Sequence, residues 1–415
     1  MQKNKVVVTG MGIVSSLGCD LETVSNSLQK GESGIVYDSF RKSKGFRSAL
    51  TGELKGFDIT RWGFSKKQLK TMGEPAVYAC ASALDAIKDS GLEVSLNPER
   101  IGIVVGNDSC VKASYDSVRI INDEVKETRL IGSGAIFQTM TSTASMNLGV
   151  LLGVKGLNIT LSAACASGAH SIGYSLALLR AGLLDAVICG GAQELNWEVY
   201  APFDGIGAFS VNEEEPSKAS RPFDRKRDGL VPSGGGAIII LETEAHAEKR
   251  KCKKIYGEIA GYGFSSDGMH LSIPTGEGGK RAMRMALKDA DVLPEDVDYV
   301  NAHATSTPEG DKAEALVINS VLGENVFVSS TKSLTGHECW MAGASEAIYS
   351  LLMIKDKFIA GNLNFEEQEE TAAKINILKE SKSHDLRVIV SDSFGFGGTN
   401  AVLVIKQSEN KSKTS

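Results

Sequence analysis

Short β-rich runs alternate with helical stretches along the whole chain, and that alternation restricts it to layered α/β architectures. Strands are predicted at 5–9, 101–105, 157–161, 185–189, 238–242, 255–261, 298–301, 326–330, 387–391 and 401–405. Helices are predicted from Cys165 to about residue 181, near 279–289 and over 342–355. In each half a strand leads through a small-residue turn into a helix and a further strand. That shared pattern points to a structural duplication without a residue-level repeat. The polar stretch 212–228 and the charged stretch 245–254 mark the expected boundary. The expected units are 1–248 and 249–408, followed by a polar tail, 409–415, expected to be disordered.

With 415 residues the chain can bury one large core or two fused ones. Its 44 glycines against 9 prolines predict tight turns and close backbone approaches. The net charge of −6 supplies no global basic field for nucleic acid or an anionic membrane. Seven cysteines (19, 80, 110, 165, 189, 252, 339) form no CxxC pair and no metal-ligand spacing. Such usage fits a reducing compartment, most of these thiols being small buried hydrophobes. The N-terminus runs directly into Val6-Val7-Val8, with no signal peptide and no apolar stretch long enough to span a bilayer. The expectation is a soluble, cytoplasmic protein.

Two glycine-rich segments imitate phosphate loops. Gly10-Met11-Gly12 follows a predicted strand, but the third glycine and the ribose-binding acid of a dinucleotide fingerprint are missing. Gly276-Glu277-Gly278-Gly279-Lys280 has the wrong spacing for a P-loop, and no Ser or Thr follows its lysine.

Chemistry concentrates at Cys165, within Leu161-Ser162-Ala163-Ala164-Cys165-Ala166-Ser167-Gly168. There an apolar run meets a predicted helix start, whose free N–H groups and dipole favour a thiolate. Two histidines occupy similar small-residue loops: His303 in Asn301-Ala302-His303-Ala304-Thr305-Ser306-Thr307-Pro308, and His337 in Lys332-Ser333-Leu334-Thr335-Gly336-His337. Both lie where loops leave predicted strands, the usual position for catalytic groups on a rigid scaffold. His170 is nearer in sequence, yet five helical residues turn it roughly 140° away from Cys165. It is expected to pack at the helix side.

Further landmarks are Val7-Val8-Thr9-Gly10-Met11-Gly12, Ser220-Arg221-Pro222-Phe223-Asp224, Arg227-Asp228-Gly229 and Ser393-Phe394-Gly395-Phe396-Gly397-Gly398-Thr399-Asn400. In this order, with the cysteine and histidine segments, the chain resembles the elongating β-ketoacyl-acyl carrier protein synthases over nearly its whole length. Phe203-Asp204-Gly205-Ile206-Gly207-Ala208-Phe209-Ser210 and Glu346-Ala347-Ile348-Tyr349-Ser350-Leu351-Leu352-Met353 look closest to the type I branch.

The resemblance implies a thiolase-like fold of two similar halves in five layers, α/β/α/β/α, and a homodimer, with a heterodimer with a related synthase left open. It implies that Cys165 takes an acyl group from a carrier thioester, and that malonyl carrier protein loses CO₂ and condenses with it. His303 and His337 match the catalytic histidines, and Lys332 the lysine that tunes them. Backbone N–H groups of Cys165 and Phe396 match an oxyanion hole, and Phe396 also matches a gate. Thr305 and Thr307 match contacts to the phosphopantetheine arm, and Phe394, Cys110 and Trp340 fall at substrate-binding positions. Asn301, Glu346, Ser391 and Asp392 match a structural monovalent cation site, for Na⁺ or K⁺, while catalysis itself needs no cofactor. Glu346 lies in an apolar helix and needs a compensating partner if buried. Lys66, Lys67 and Lys70 match a basic patch that docks an acidic carrier protein.

The chain departs from the family pattern in places. Glu338-Cys339-Trp340-Met341 replaces small residues after His337, Asn107-Asp108-Ser109-Cys110 replaces a glycine-rich loop, Ala304 replaces a glycine, and Asp392 replaces an amide. These differences make a specialised ketosynthase of a polyene, aryl polyene or polyketide pathway, with or without a partner subunit, the alternative reading. A non-enzymatic chain-length subunit is a second alternative, against which stand the retained Cys165, His303 and His337, since such subunits typically lack the cysteine. A papain-like hydrolase needs one His–Asn relay and has no use for two histidine loops and Lys332. A thiolase would want a second cysteine near the C-terminus, and residues 394–400 contain none.

Overall fold

The computed structural model describes residues 4–124 and 127–408, so the tail 409–415 lies outside the described residues. Ten strands carry the architecture: β1 (Val6–Val14), β2 (Ile101–Gly106), β3 (Asn158–Leu161), β4 (Ala186–Gln193) and β5 (Gly235–Thr243) in the first half. The second half contributes β6 (Gly257–Ser266), β7 (Tyr299–Asn301), β8 (Phe327–Ser329), β9 (Val388–Gly395) and β10 (Thr399–Lys406). The strand order is β3-β2-β4-β5-β1 in the first half and β8-β7-β9-β10-β6 in the second. Numbered within each half, both read 3-2-4-5-1, with the same parallel and antiparallel pairings. The duplication expected from the strand–turn–helix pattern is therefore present in the topology. The halves share one continuous sheet: Val7 and Val8 of β1 pair with Glu258 and Gly257 of β6.

The principal helices are α1 (Glu74–Ser90), α2 (Val111–Arg119), α3 (Thr143–Leu152), α4 (Ser167–Arg180), α5 (Trp197–Gly205), α6 (Glu277–Ala290), α7 (Pro308–Leu322) and α8 (Ala342–Asp356). Three apolar layers separate them. One outer core joins α1 and α3 to the first half's strands, and another joins α6 and α7 to the second half's. The largest lies between the halves, where α4 and α8 are sandwiched by both sets of strands. Side chains alternate across a pleat, so each strand feeds two of these cores. The result is the five-layered, thiolase-like arrangement. No helix among the described residues is long and apolar enough to cross a membrane.

Two sequence expectations change. Gly10-Met11-Gly12 lies inside β1 rather than in a turn after it. A Cβ at Gly10 or Gly12 would overlap the backbone oxygens of Ala86 or Ser82 in α1. The second half repeats the device, with Gly261 and Gly263 of β6 against Ala286 and Ala282 of α6. Glycine alternation here lets a helix lie directly on a strand. The stretch 212–228 is also no simple linker. Ser220, Arg221, Phe223 and Asp224 are buried, and Arg221 and Arg227 pair with Glu366 and Glu369 across the boundary.

Candidate active site

The two central helices cross at glycines: a Cβ on Gly168 would come within 2.9 Å of Ala344 N, and one on Gly343 within 2.7 Å of Ala169 Cβ. Each helix is preceded by a 3-10 turn, Ala164–Ala166 before α4 and Cys339–Met341 before α8. Each turn opens on a left-handed residue, Ala164 at φ +48° and Cys339 at φ +43°. Such conformations cost about 1–3 kcal/mol and persist only where the surroundings enforce them. Around Ala164 they do. Asp108 Oδ2 accepts its N–H at 2.9 Å, Ser167 Oγ accepts that of Ala163 at 2.8 Å, and Thr399 Oγ1 donates to Ala163 O at 2.9 Å. This clamp fixes the next residue, Cys165, whose counterpart in the other turn is Trp340.

His303 follows β7, and its N–H donates to Asp392 Oδ1 at 2.8 Å. His337 sits in a loop stitched to the first half, donating its N–H to Val231 O at 2.7 Å and accepting from Ser233 N at 2.9 Å. Both rings converge on the cysteine. His337 Nε2 is 3.1 Å from Cys165 Sγ, the two rings are 5.3 Å apart edge to face, and the three ligand-capable atoms lie within 4.8 Å of one another. Residues separated by up to 172 positions thus form one compact group.

Electrostatics correct one expectation. Burial pushes the Cys165 thiol up to about 12, although Lys332 and the backbone N–H groups of Phe396 and Cys165 pull it down. Desolvation outweighs the helix start, and the resting group is the thiol. Burial, then the charge of Lys332, holds both histidines well below the usual imidazole range, with His337 adding to the effect on His303. They are neutral near pH 7. Lys332 is buried in an ion pair with Glu346 of α8, the partner the apolar helix required. Burial raises the Glu346 carboxyl against the pull of that lysine.

A cavity of about 480 Å³ reaches Cys165, His303 and His337, and its walls include Thr305, Thr307, Phe394 and Phe396. Phe396 is 40% exposed at the mouth and stacks on Phe203 at 5.9 Å. Cys110 lines a different cavity, with Glu74, Tyr78 and Glu194, and its thiol donates to Met140 O at 3.2 Å. Trp340 lies outside the 480 Å³ cavity, packed in the apolar cluster that contains Cys165. Lys66, Lys67 and Lys70 are exposed on a short helix, Lys66–Leu69, and at its end.

Asn301, Glu346, Ser391 and Asp392 are all buried. Asn301 Nδ2 donates to Glu346 O at 3.3 Å, while Glu346 Oε2 and Asp392 Oδ2 have no hydrogen-bond partner among the described residues.

Three buried acids were not singled out in the sequence. Asp311 accepts from Thr305 N at 3.0 Å and Phe223 N at 2.8 Å, fixing the threonine loop. Glu314 is buried beside Asp392, and burial, then the charge of that neighbour, raises its carboxyl. Glu338 accepts from Ser345 Oγ and, at 3.0 Å, from Tyr349 OH. The spacing Thr307-Pro308-Glu309-Gly310-Asp311-Lys312-Ala313-Glu314 holds the available signal, since acids three apart share a helix face.

Comparison with known proteins agrees with this geometry. Residues 3–247 match the family described as Beta-ketoacyl synthase, N-terminal domain, and residues 256–366 match Beta-ketoacyl synthase, C-terminal domain. The 3-oxoacyl-[acyl-carrier-protein] synthase 1 of Haemophilus influenzae is 41% identical over 410 residues, 97% of this chain and 99% of that protein. Its namesake from Escherichia coli K12 is 39% identical over 411 residues, with the same coverage of 97% and 99%. A beta-ketoacyl synthase from Burkholderia phymatum superposes with a TM-score of 0.90 at 32% identity, covering 98% of this chain and 100% of that one. The ishigamide ketosynthase/chain length factor gives 0.90 at 29% identity, again covering 98% and 100%.

Proposed function

The chain belongs to the β-ketoacyl synthase family, and on that premise we propose that it condenses an acyl-carrier thioester with malonyl carrier protein. The products are a β-ketoacyl carrier protein and CO₂. The observation that carries this reading is the convergence of Cys165, His303 and His337 on one cavity.

In the first half-reaction Cys165 Sγ attacks the acyl thioester carbonyl, a new thioester forms, and the pantetheine sulfur leaves. The thiol proton passes to His337 Nε2 and on to the departing sulfur. His337 Nδ1 has no hydrogen-bond partner among the described residues, so no neighbour there locks the ring in one tautomer. N–H groups of Cys165 and Phe396, already aimed at the sulfur, stabilise the oxyanion.

In the second half-reaction malonyl carrier protein occupies the same cavity, its pantetheine arm against Thr305 and Thr307. The C–CO₂ bond breaks, and the electron pair moves into the thioester enolate. Neutral His303 and His337 donate hydrogen bonds to its oxygen. The enolate carbon then attacks the acyl-Cys165 carbonyl, and the cysteine sulfur is expelled and takes up a proton from solvent, the one proton the condensation consumes. Burial, reinforced by the charge of Lys332, keeps the histidines neutral, so they act as donors rather than as charged acids.

Lys66, Lys67 and Lys70 receive the acidic carrier protein, and the enzyme works in the cytoplasm as a homodimer or with a related synthase. The partnerless oxygens of Glu346 and Asp392 support a monovalent cation held with Asn301 and Ser391. Such an ion would offset buried negative charge behind His303 and takes no part in bond making.

The test is reconstitution with acyl carriers and malonyl carrier, read by intact mass. Growth of the acyl chain by one ketide unit, lost in Cys165→Ala, is expected. Acylation of Cys165 without extension would mean that a partner subunit is needed, and no acylation would overturn the reading.

A further inference from the structure

The acyl group carried by Cys165 needs apolar space beside the sulfur, and the residues packed there are Val199, Tyr200, Phe209, Leu230 and Trp340. The bulkiest two are held differently. Tyr200 is fixed: its OH donates to Ser233 O at 2.6 Å, and the Arg41 guanidinium sits 4.8 Å from its ring centre. Trp340, 7% exposed, has one hydrogen bond, from Nε1 to Oγ of half-buried Ser109 at 2.9 Å. Its indole also packs on half-buried Phe203, 6.2 Å between ring centres, and Phe203 stacks on the mouth residue Phe396.

Resting on the function proposed above, we propose that Trp340, latched by Ser109, is the wall that limits the acyl group on Cys165 to short chains. The indole occupies the apolar volume that a longer chain would need. Trp340 is the counterpart of Cys165 in the paired turns before α8 and α4, and it too follows a left-handed residue, Cys339. A longer chain must break the Ser109 bond and displace the ring against Phe203. Each further methylene gains burial only if that volume is vacated, and a core already packed resists insertion.

The test measures the rate of Cys165 acylation by intact mass, with carriers bearing saturated chains from butanoyl to hexadecanoyl. The readout is the ratio of long-chain to short-chain acylation. The wild type should favour short chains by more than tenfold. Trp340→Gly should raise the ratio more than tenfold, and Ser109→Ala should raise it by less, since the ring is then unlatched but present. Should Trp340→Gly fail to fold, Ser109→Ala carries the test. An unchanged ratio in the folded variants, with short chains still accepted, overturns the proposal and leaves the synthase reading standing. A wild type acylated by no carrier overturns both.

Discussion

His337 Nε2 stands 3.1 Å from Cys165 Sγ, joining a loop of the second half to the nucleophile of the first. The thiol is raised to about 12 by burial, so attack at pH 7 depends on moving its proton to this ring. His337→Ala should therefore slow acyl transfer by about 10²–10⁴-fold, the usual contribution of a positioned base. His303→Ala should acylate nearly normally and lose decarboxylation, because His303 meets only the malonyl group in the proposed mechanism. Separate assays of acyl-Cys165 formation and of CO₂ release from malonyl carrier check the division. Equal losses in both assays for both variants would refute it.

Lys332 and Glu346 form a buried pair, and removing Lys332 leaves the Glu346 carboxyl buried in an apolar helix without its counter-charge, to stay ionised there or to take up a proton. Lys332→Met should cost about 3–5 kcal/mol of stability, the range for breaking such a pair. Adding Glu346→Gln should restore most of that loss in denaturant unfolding. Condensation should stay impaired in the double variant, since the Lys332 charge that adds to burial in lowering His303 and His337 is still missing. Recovery of both stability and activity would reduce Lys332 to a purely structural role.

The sequence made the nucleophile, both histidine loops and most strands legible, because each pairs an apolar run with a small-residue turn. The helices 74–90, 143–152 and 308–322 were not singled out. Alanine and serine populate the inner face of α1, where β1 lies too close for larger residues, so the usual contrast between apolar and polar faces is weak. The thiol's electrostatics were illegible for another reason. The helix start is a local feature, whereas the desolvation that outweighs it comes from residues scattered over the chain. Glu338 entered only within a segment that departs from the family pattern and Glu314 lies in a helix not singled out, and only the fold closes the core over them.

The alternating glycines of the first strand in each half make a sharper demand than any core side chain. A Cβ at Gly263 would overlap Ala282 O, and backbone cannot rotate away as a side chain can. Gly263→Ala should destabilise by about 1–3 kcal/mol or more, the cost of overpacking. Gly91→Ala is the contrast: its Cβ would meet nothing within 4 Å, and only its φ of +62° opposes the change. That substitution should cost about 1 kcal/mol. Urea unfolding of both variants compares clash with backbone preference, and equal losses would mean that α6 can shift away from its strand.

Glu338 gives a pH dependence with a definite sign. Burial raises its carboxyl from 4.5 to about 7, while hydrogen bonds from Ser345 and Tyr349 and the charge of Lys332 oppose the shift. Between those values the folded protein holds a proton that the unfolded chain has released. Stability from this group is complete below 4.5 and falls as pH rises towards 7, by at most about 1.4 kcal/mol per pH unit. His303 and His337 act oppositely below about pH 6.5: the unfolded chain binds their protons first, so stability rises with pH there. Glu338→Gln removes one contribution and keeps the other. The melting temperature of the variant relative to the wild type should therefore climb between pH 5 and pH 7 and level off above it. A difference constant across that range would show that the carboxyl ionises alike in both states, and that the Ser345 and Tyr349 hydrogen bonds fully offset its burial.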